Sequence, residues 1–163
     1  MMREDSGGSM AGSTVYEISY TDPNAYRRET TYINGYVAER SWATRTGSDA
    51  AGYTWTIRRA ASGAGGAPAS TDFVTKQVYY PTTTGTPAVA RNKILRIESP
   101  DNQVRQFTYS ENAGIVTTTI EEGPITGSLD GNGHYPLTEG KITVRKTTKS
   151  GRFVSEKISD LAN

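Results

Sequence analysis

The sequence predicts an all-β protein, an antiparallel meander of about nine or ten strands built from repeated hairpins. Three observations carry this. Apolar and aromatic residues recur with a period of two rather than 3.6, as in Tyr16, Ile18 and Tyr20 set between Glu17 and Ser19. The runs stop at turn-forming groups such as Asp22-Pro23-Asn24, Asn34-Gly35 and Pro100-Asp101-Asn102. Only 34% of the 163 residues are hydrophobic, while 17 glycines and 10 tyrosines suit tight turns and half-buried pleated strands. Such a meander forms a curved sheet, or closes into a sandwich or a barrel.

The elements follow in order. Residues 1–14 read as a disordered leader, and 15–163 as a single β domain. Glu29 to Ile33 and Tyr36 to Trp42 flank Asn34-Gly35, the strongest hairpin signal in the chain, because Asn-Gly fits a two-residue turn with positive φ. Tyr53, Trp55 and Ile57 line one face of the next strand, with Thr54, Thr56 and Arg58 on the other. Ala60 to Ser70 reads as a connector, its glycines at 63, 65 and 66 too flexible for an element interior.

Asp72 to Tyr80 is a strand ending at Pro81, followed by a threonine-rich loop to Pro87. Lys93 to Glu98 enters the turn at Ser99-Pro100-Asp101-Asn102, Val104 to Tyr109 leaves it, and Ile115 to Ile120 returns after Asn112-Ala113-Gly114. Gly123 to Gly133 reads as loop. Lys141 to Lys146 and Arg152 to Ile158 form a last hairpin about Lys149-Ser150-Gly151. The one helical candidate is a short turn near Ser159-Asp160-Leu161-Ala162.

Charge is uneven although the net value is +1. Between Gln106 and Gly140 there is no lysine or arginine, and Glu111, Glu121, Glu122, Asp130 and Glu139 make that stretch acidic. Lys141, Arg145, Lys146, Lys149, Arg152 and Lys157 then face a single acid, Glu156. The two stretches are expected to lie side by side in an antiparallel sheet and partly neutralise each other across strands. The basic stripe has no interleaved aromatic residue before Phe153, so no nucleic-acid partner is expected. No apolar run is long enough to cross a membrane as a helix, and no membrane partner is expected.

The chemistry-bearing residues are sparse. No cysteine is present, which excludes disulfides and thiolate chemistry. The one histidine, His134, lies in the loop Asp130-Gly131-Asn132-Gly133-His134 and lacks the sequence partners of a catalytic triad or of a His-x-x-x-His metal pair, so it reads as a solvated or capping residue. The same loop offers alternating Asp130 and Asn132 for calcium. An EF-hand needs glycine at its sixth position and an acid at its twelfth, where this chain has Tyr135 and Lys141. Glu121 and Glu122 are adjacent, so on a strand they point to opposite faces and cannot share one substrate bond; they read as exposed charges. No phosphate-cradling motif occurs, and no cofactor is implied. The expectation is a non-enzymatic chain.

Aromatic residues supply the binding candidate. Tyr53 and Trp55, with Tyr36 and Trp42 from a strand beside them, can form a flat platform for a sugar ring. The competing reading is that these four residues are core, in a chain with few leucines.

One pattern occurs twice. Thr21-Asp22-Pro23-Asn24 leads to Tyr32 and then Asn34-Gly35, and Ser99-Pro100-Asp101-Asn102 leads to Tyr109 and then Asn112-Ala113-Gly114, with nine residues from proline to tyrosine in each case. These units resemble the YD-repeat, or RHS-repeat, family, and Thr147 through Gly151 to Val154 resembles a third, more degraded copy. Asn24 and Asn102 stand where the family has glycine, and no Tyr-Asp pair follows the strand. The resemblance implies a β-sheet wall segment of a bacterial surface or secreted shell protein that encloses cargo or mediates surface contact. Its partners would be the rest of a larger repeat protein, or further copies joined through edge strands. The alternative is a carbohydrate-binding β-sandwich or tail-fibre-like module.

Overall fold

The computed structural model describes residues 13–17, 25–33, 36–60 and 71–161, with side chains over 41–60 and 71–161. It is all-β, with no helix among the described residues. The strands are β1 (Ser13–Glu17), β2 (Ala25–Ile33), β3 (Tyr36–Ser48), β4 (Gly52–Arg59), β5 (Phe73–Tyr79), β6 (Ile94–Glu98), β7 (Gln103–Asn112), β8 (Ile115–Pro124), β9 (Lys141–Thr148) and β10 (Phe153–Asp160). Pairing runs in chain order, the signature of a meander joined by hairpins. The meander is not closed into a barrel: β10 ends the order, with β9 as its strand neighbour among the described residues.

Two units divide the chain, Met1–Thr46 with Trp55–Thr75 and Gly47–Thr54 with Lys76–Asn163. In the first, β2 pairs antiparallel with β1 and with β3, and Ile33 faces Tyr36 as the Asn-Gly hairpin requires. Ser13 and Thr14 belong to β1, inside the segment read as leader. Ile18 and Tyr20, the turn at 22–24, the residues Asn34 and Gly35, and the connector at 61–70 lie outside the described residues.

The second unit is a run of antiparallel pairs from β5 to β10. Two of its hairpin loops share one local geometry. At 99–103, the N–H of Ser99 donates to Gln103 O at 2.8 Å, the N–H of Asn102 donates to Ser99 O at 3.2 Å, and Asn102 has φ 61°. At 148–152 the equivalent bonds are 2.8 and 2.9 Å, with Gly151 at φ 89°. Both are three-residue loops, a type I turn followed by a left-handed residue. Asparagine tolerates that conformation better than other side chains do, which accounts for Asn102 in a glycine position. Pro100 pre-sets the first turn residue.

Several boundaries differ from expectation. β8 runs on through Gly123 to Pro124 rather than giving way to loop at 123, because Gln103 and Val104 extend β7 opposite them. Gly123 fits there because the backbone of Glu139 and Gly140 passes where a side chain would stand. Ser159 and Asp160 continue β10 instead of forming a helical turn, and the N–H of Leu161 donates to Gly140 O at 3.0 Å. The acidic and basic stretches do lie side by side as β8 and β9, with Glu122 opposite Lys141. Ion pairs join Lys149 to Glu111 at 3.2 Å and Arg145 to Glu156 at 2.6 Å.

The hydrophobic core is small. Among the described residues, Ala90, Leu95, Val104 and Val116 are the buried hydrophobic ones, and the polar Thr86 and Gln106 are buried with them. Much of the order in this unit therefore comes from backbone ladders and polar clasps rather than from a deep apolar interior.

Candidate functional site

The densest polar cluster lies where the segment after β8 folds back on β6 and β7. Gln106 is at its centre, 2% exposed. Its Nε2 donates to Tyr135 O and to Glu121 Oε2, and its Oε1 accepts the N–H of Tyr135, all at 2.9 Å. The carboxamide thus acts toward Tyr135 as a neighbouring strand would, supplying one donor and one acceptor to a backbone that has left the sheet. Glu121, expected to be an exposed charge, is half-buried here, and Glu122 on the opposite face pairs with Arg105.

Beside this clasp, Arg96 donates to Glu98 Oε1 at 2.8 Å and to Gly133 O at 2.9 Å, while its guanidinium stands over the Tyr135 ring. Lys76 approaches the other Glu98 oxygen at 3.4 Å, and the Tyr135 hydroxyl donates to Glu98 at 3.3 Å. The Arg96 and Glu98 side chains are only 12% and 13% exposed. Burial pushes the Glu98 carboxyl up, but the hydrogen bond and charge of Arg96, with the charge of Lys76, outweigh it and hold the group below the usual carboxylate value.

A third polar group surrounds the carbonyl of Phe107. It accepts from the Tyr80 hydroxyl at 2.9 Å and from His134 Nε2 at 3.3 Å, which uses the tautomer carrying the proton on Nε2. His134 is half-buried rather than freely solvated. Its loop is a third copy of the hairpin-loop geometry, closed by bonds between Asp130 and His134 and between Gly133 and Asp130, with Gly133 at φ 78°. Asp130 Oδ1, the calcium candidate, accepts the N–H groups of Asn132 and His134 at 2.8 Å each. Those bonds make it an Asx turn of its own loop.

Tyr109, the tyrosine of the second repeat unit, packs edge-on against Tyr80 with ring centroids 6.0 Å apart. Lys93 stands 4.8 Å from its ring centroid. Burial, with a smaller contribution from Tyr80, pushes the Tyr109 hydroxyl up to about 12.

The aromatic platform is distributed as follows. Tyr36 opens β3 opposite Ile33, with its side chain outside the described set. Trp42 lies in β3 opposite Arg28 and is half-buried, as is Trp55 in β4. Tyr53 stacks on Tyr79 at 4.4 Å and 13°, so one face of its ring is already covered by another aromatic residue.

Chemically, the cluster around Gln106 binds chain to chain. Its carboxylates, guanidinium and amide have each other as partners, and the product is a loop pinned to a sheet. Among the described residues, no group of three or more His, Asp or Glu side chains is placed to hold a metal ion. Sequence reasoning missed Arg96, Glu98, Gln106 and Tyr135. The available signal was Gln106 following buried Val104 at strand spacing, a polar side chain on a covered face. No protein-family model matches the chain, and neither does any curated protein or solved structure.

Proposed function

We propose that the chain is a non-catalytic structural and interaction module, a β-sheet wall segment of a larger RHS or YD-repeat protein that encloses cargo or mediates surface contact. The supporting observation is the reuse of one turn-and-strand device. The loops at 99–103, 130–134 and 148–152 share their bonding and their left-handed fourth residue, and the second repeat's Tyr109 is a packing and hydrogen-bonding anchor. The polar residues nearest to a site are spent on holding the loop at 125–140 against β6 and β7. The partner on this reading is the remainder of a larger repeat protein, with self-association through edge strands as the other mode.

Sequencing the reading frame around this chain in its source genome tests the proposal. Further units with nine residues from a turn proline to a strand tyrosine, followed by a glycine turn, are expected on at least one side. A reading frame that extends beyond the chain and carries none of them overturns it.

A further inference from the structure

The strand β10 is exposed at every one of its eight residues, including Phe153 at 60% and Ile158 at 61%. On one side it is bonded to β9, and among the described residues no strand lies on the other. The bond from Leu161 N–H to Gly140 O sets the phase of that ladder. Antiparallel pairs alternate between bonded and non-bonded, so Ser159, Lys157 and Ser155 turn their backbone groups toward β9. Glu156, Ile158 and Asp160 turn theirs outward.

Those outward residues also share one face of the sheet, giving an acidic, apolar, acidic row. β9 already answers that row on the inner side: Lys141 stands opposite Asp160, Thr143 opposite Ile158, and Arg145 opposite Glu156. A strand on the outer side meets the same three side chains. From this we infer that the outer edge of β10 takes up an extended partner segment, antiparallel, whose residues read basic, any, apolar, acidic, basic. Its two cations would lie against Asp160 and Glu156, its apolar residue against Ile158, and its acid against Lys157.

A second copy of β10 fits this edge poorly. Two-fold pairing keeps each face continuous, and its longest registers are centred on Glu156, Lys157 or Ile158. They set Glu156 against itself, Lys157 against itself, or Glu156 against Asp160 of the second copy. The inference stands on β10 alone and does not depend on the wall-segment reading.

The test is fluorescence anisotropy of a labelled peptide, Thr-Lys-Thr-Val-Glu-Arg-Thr, titrated with the full chain, together with amide exchange. Saturable binding is expected, weakened by salt, with new protection at Glu156, Ile158 and Asp160. A peptide with its charges reversed should bind at least tenfold more weakly. Ile158→Pro removes an outward N–H and leaves the β9 bonds in place, so it should also weaken binding at least tenfold while Lys157 stays protected. Ile158→Lys, which keeps the backbone donor and loses the apolar contact, should weaken it as well. Equal affinity for both peptides, equal affinity of Ile158→Pro, or a β10-dependent homodimer in place of peptide binding overturns the proposal.

Discussion

Tyr109 donates its hydroxyl to the carbonyl of Ile94 at 3.1 Å, beyond the point where β6 and β7 last pair at Arg96 and Gln106. A side chain of β7 thereby continues a ladder that the backbone has abandoned. The Tyr109→Phe variant keeps the ring packing against Tyr80 and leaves the Ile94 carbonyl without this donor. A loss of about 1–2 kcal/mol is expected in urea denaturation at neutral pH.

The raised hydroxyl value adds a pH signature to the same residue. With the folded value at about 12 against an ordinary 10.0, the stability linked to neutral Tyr109 is fully present below pH 10 and is lost as pH rises toward 12. Denaturation at pH 8 and pH 11 should show a drop in the native protein that is smaller in Tyr109→Phe. Tyrosinate absorbance should lose a late-titrating component in the variant.

Glu98 behaves in the opposite sense. Its folded value is held below the ordinary 4.5, so its contribution is present above the unfolded value and disappears as pH falls through the lower, folded one. Glu98→Gln should cost about 1–3 kcal/mol at pH 7, since it leaves the mostly buried Arg96 guanidinium without its anion. The difference from the native protein should shrink in acid. A gap that stays constant from pH 7 to pH 2.5 would contradict the ion-pair account.

What was legible in the sequence was local. Pro100-Asp101-Asn102 and Ser150-Gly151 state their turns through φ preferences that act within four residues, and the strand alternation then sets the hairpins. The clasp of Gln106 on Tyr135 spans 29 residues and depends on a loop that has no period of its own. Nothing in the neighbourhood of either residue specifies the other. Composition shows that tyrosines supply the bulk, but not that Tyr53 stacks on Tyr79, because that contact depends on how strands distant in sequence come together.

Gln106 gives a third prediction. Gln106→Leu fills a similar volume but leaves the Tyr135 N–H and carbonyl unpaired under cover, so about 2–4 kcal/mol should be lost. The loop should loosen before the sheet does. Amide exchange at Tyr135 should accelerate strongly, while β8 and β9 amides keep most of their protection. Uniform acceleration across the unit would mean that Gln106 supports the whole core rather than the loop.

The β7–β8 hairpin closes with a different, two-residue turn. Asn112 pairs with Ile115, and the two residues between them, Ala113 and Gly114, have φ of 49° and 76°. That is a type I′ turn, which asks for positive φ at both positions, yet alanine occupies the first. Its methyl group opposes the left-handed conformation, whereas asparagine tolerates it. Ala113→Asn should therefore stabilise by about 0.5–1 kcal/mol, and Ala113→Val should destabilise by at least about 1 kcal/mol. Asn102→Gly, at the left-handed position that ends the preceding loop, should be close to neutral because asparagine already fits there. Gly140→Ala marks the other extreme: at φ 128° its methyl group would enter the space of the Glu122 carbonyl, and the β8–β9 junction should not form. Thermal denaturation should rank the variants Ala113→Asn, Asn102→Gly, Ala113→Val and Gly140→Ala, from most to least stable. A destabilised Ala113→Asn would refute the I′ assignment.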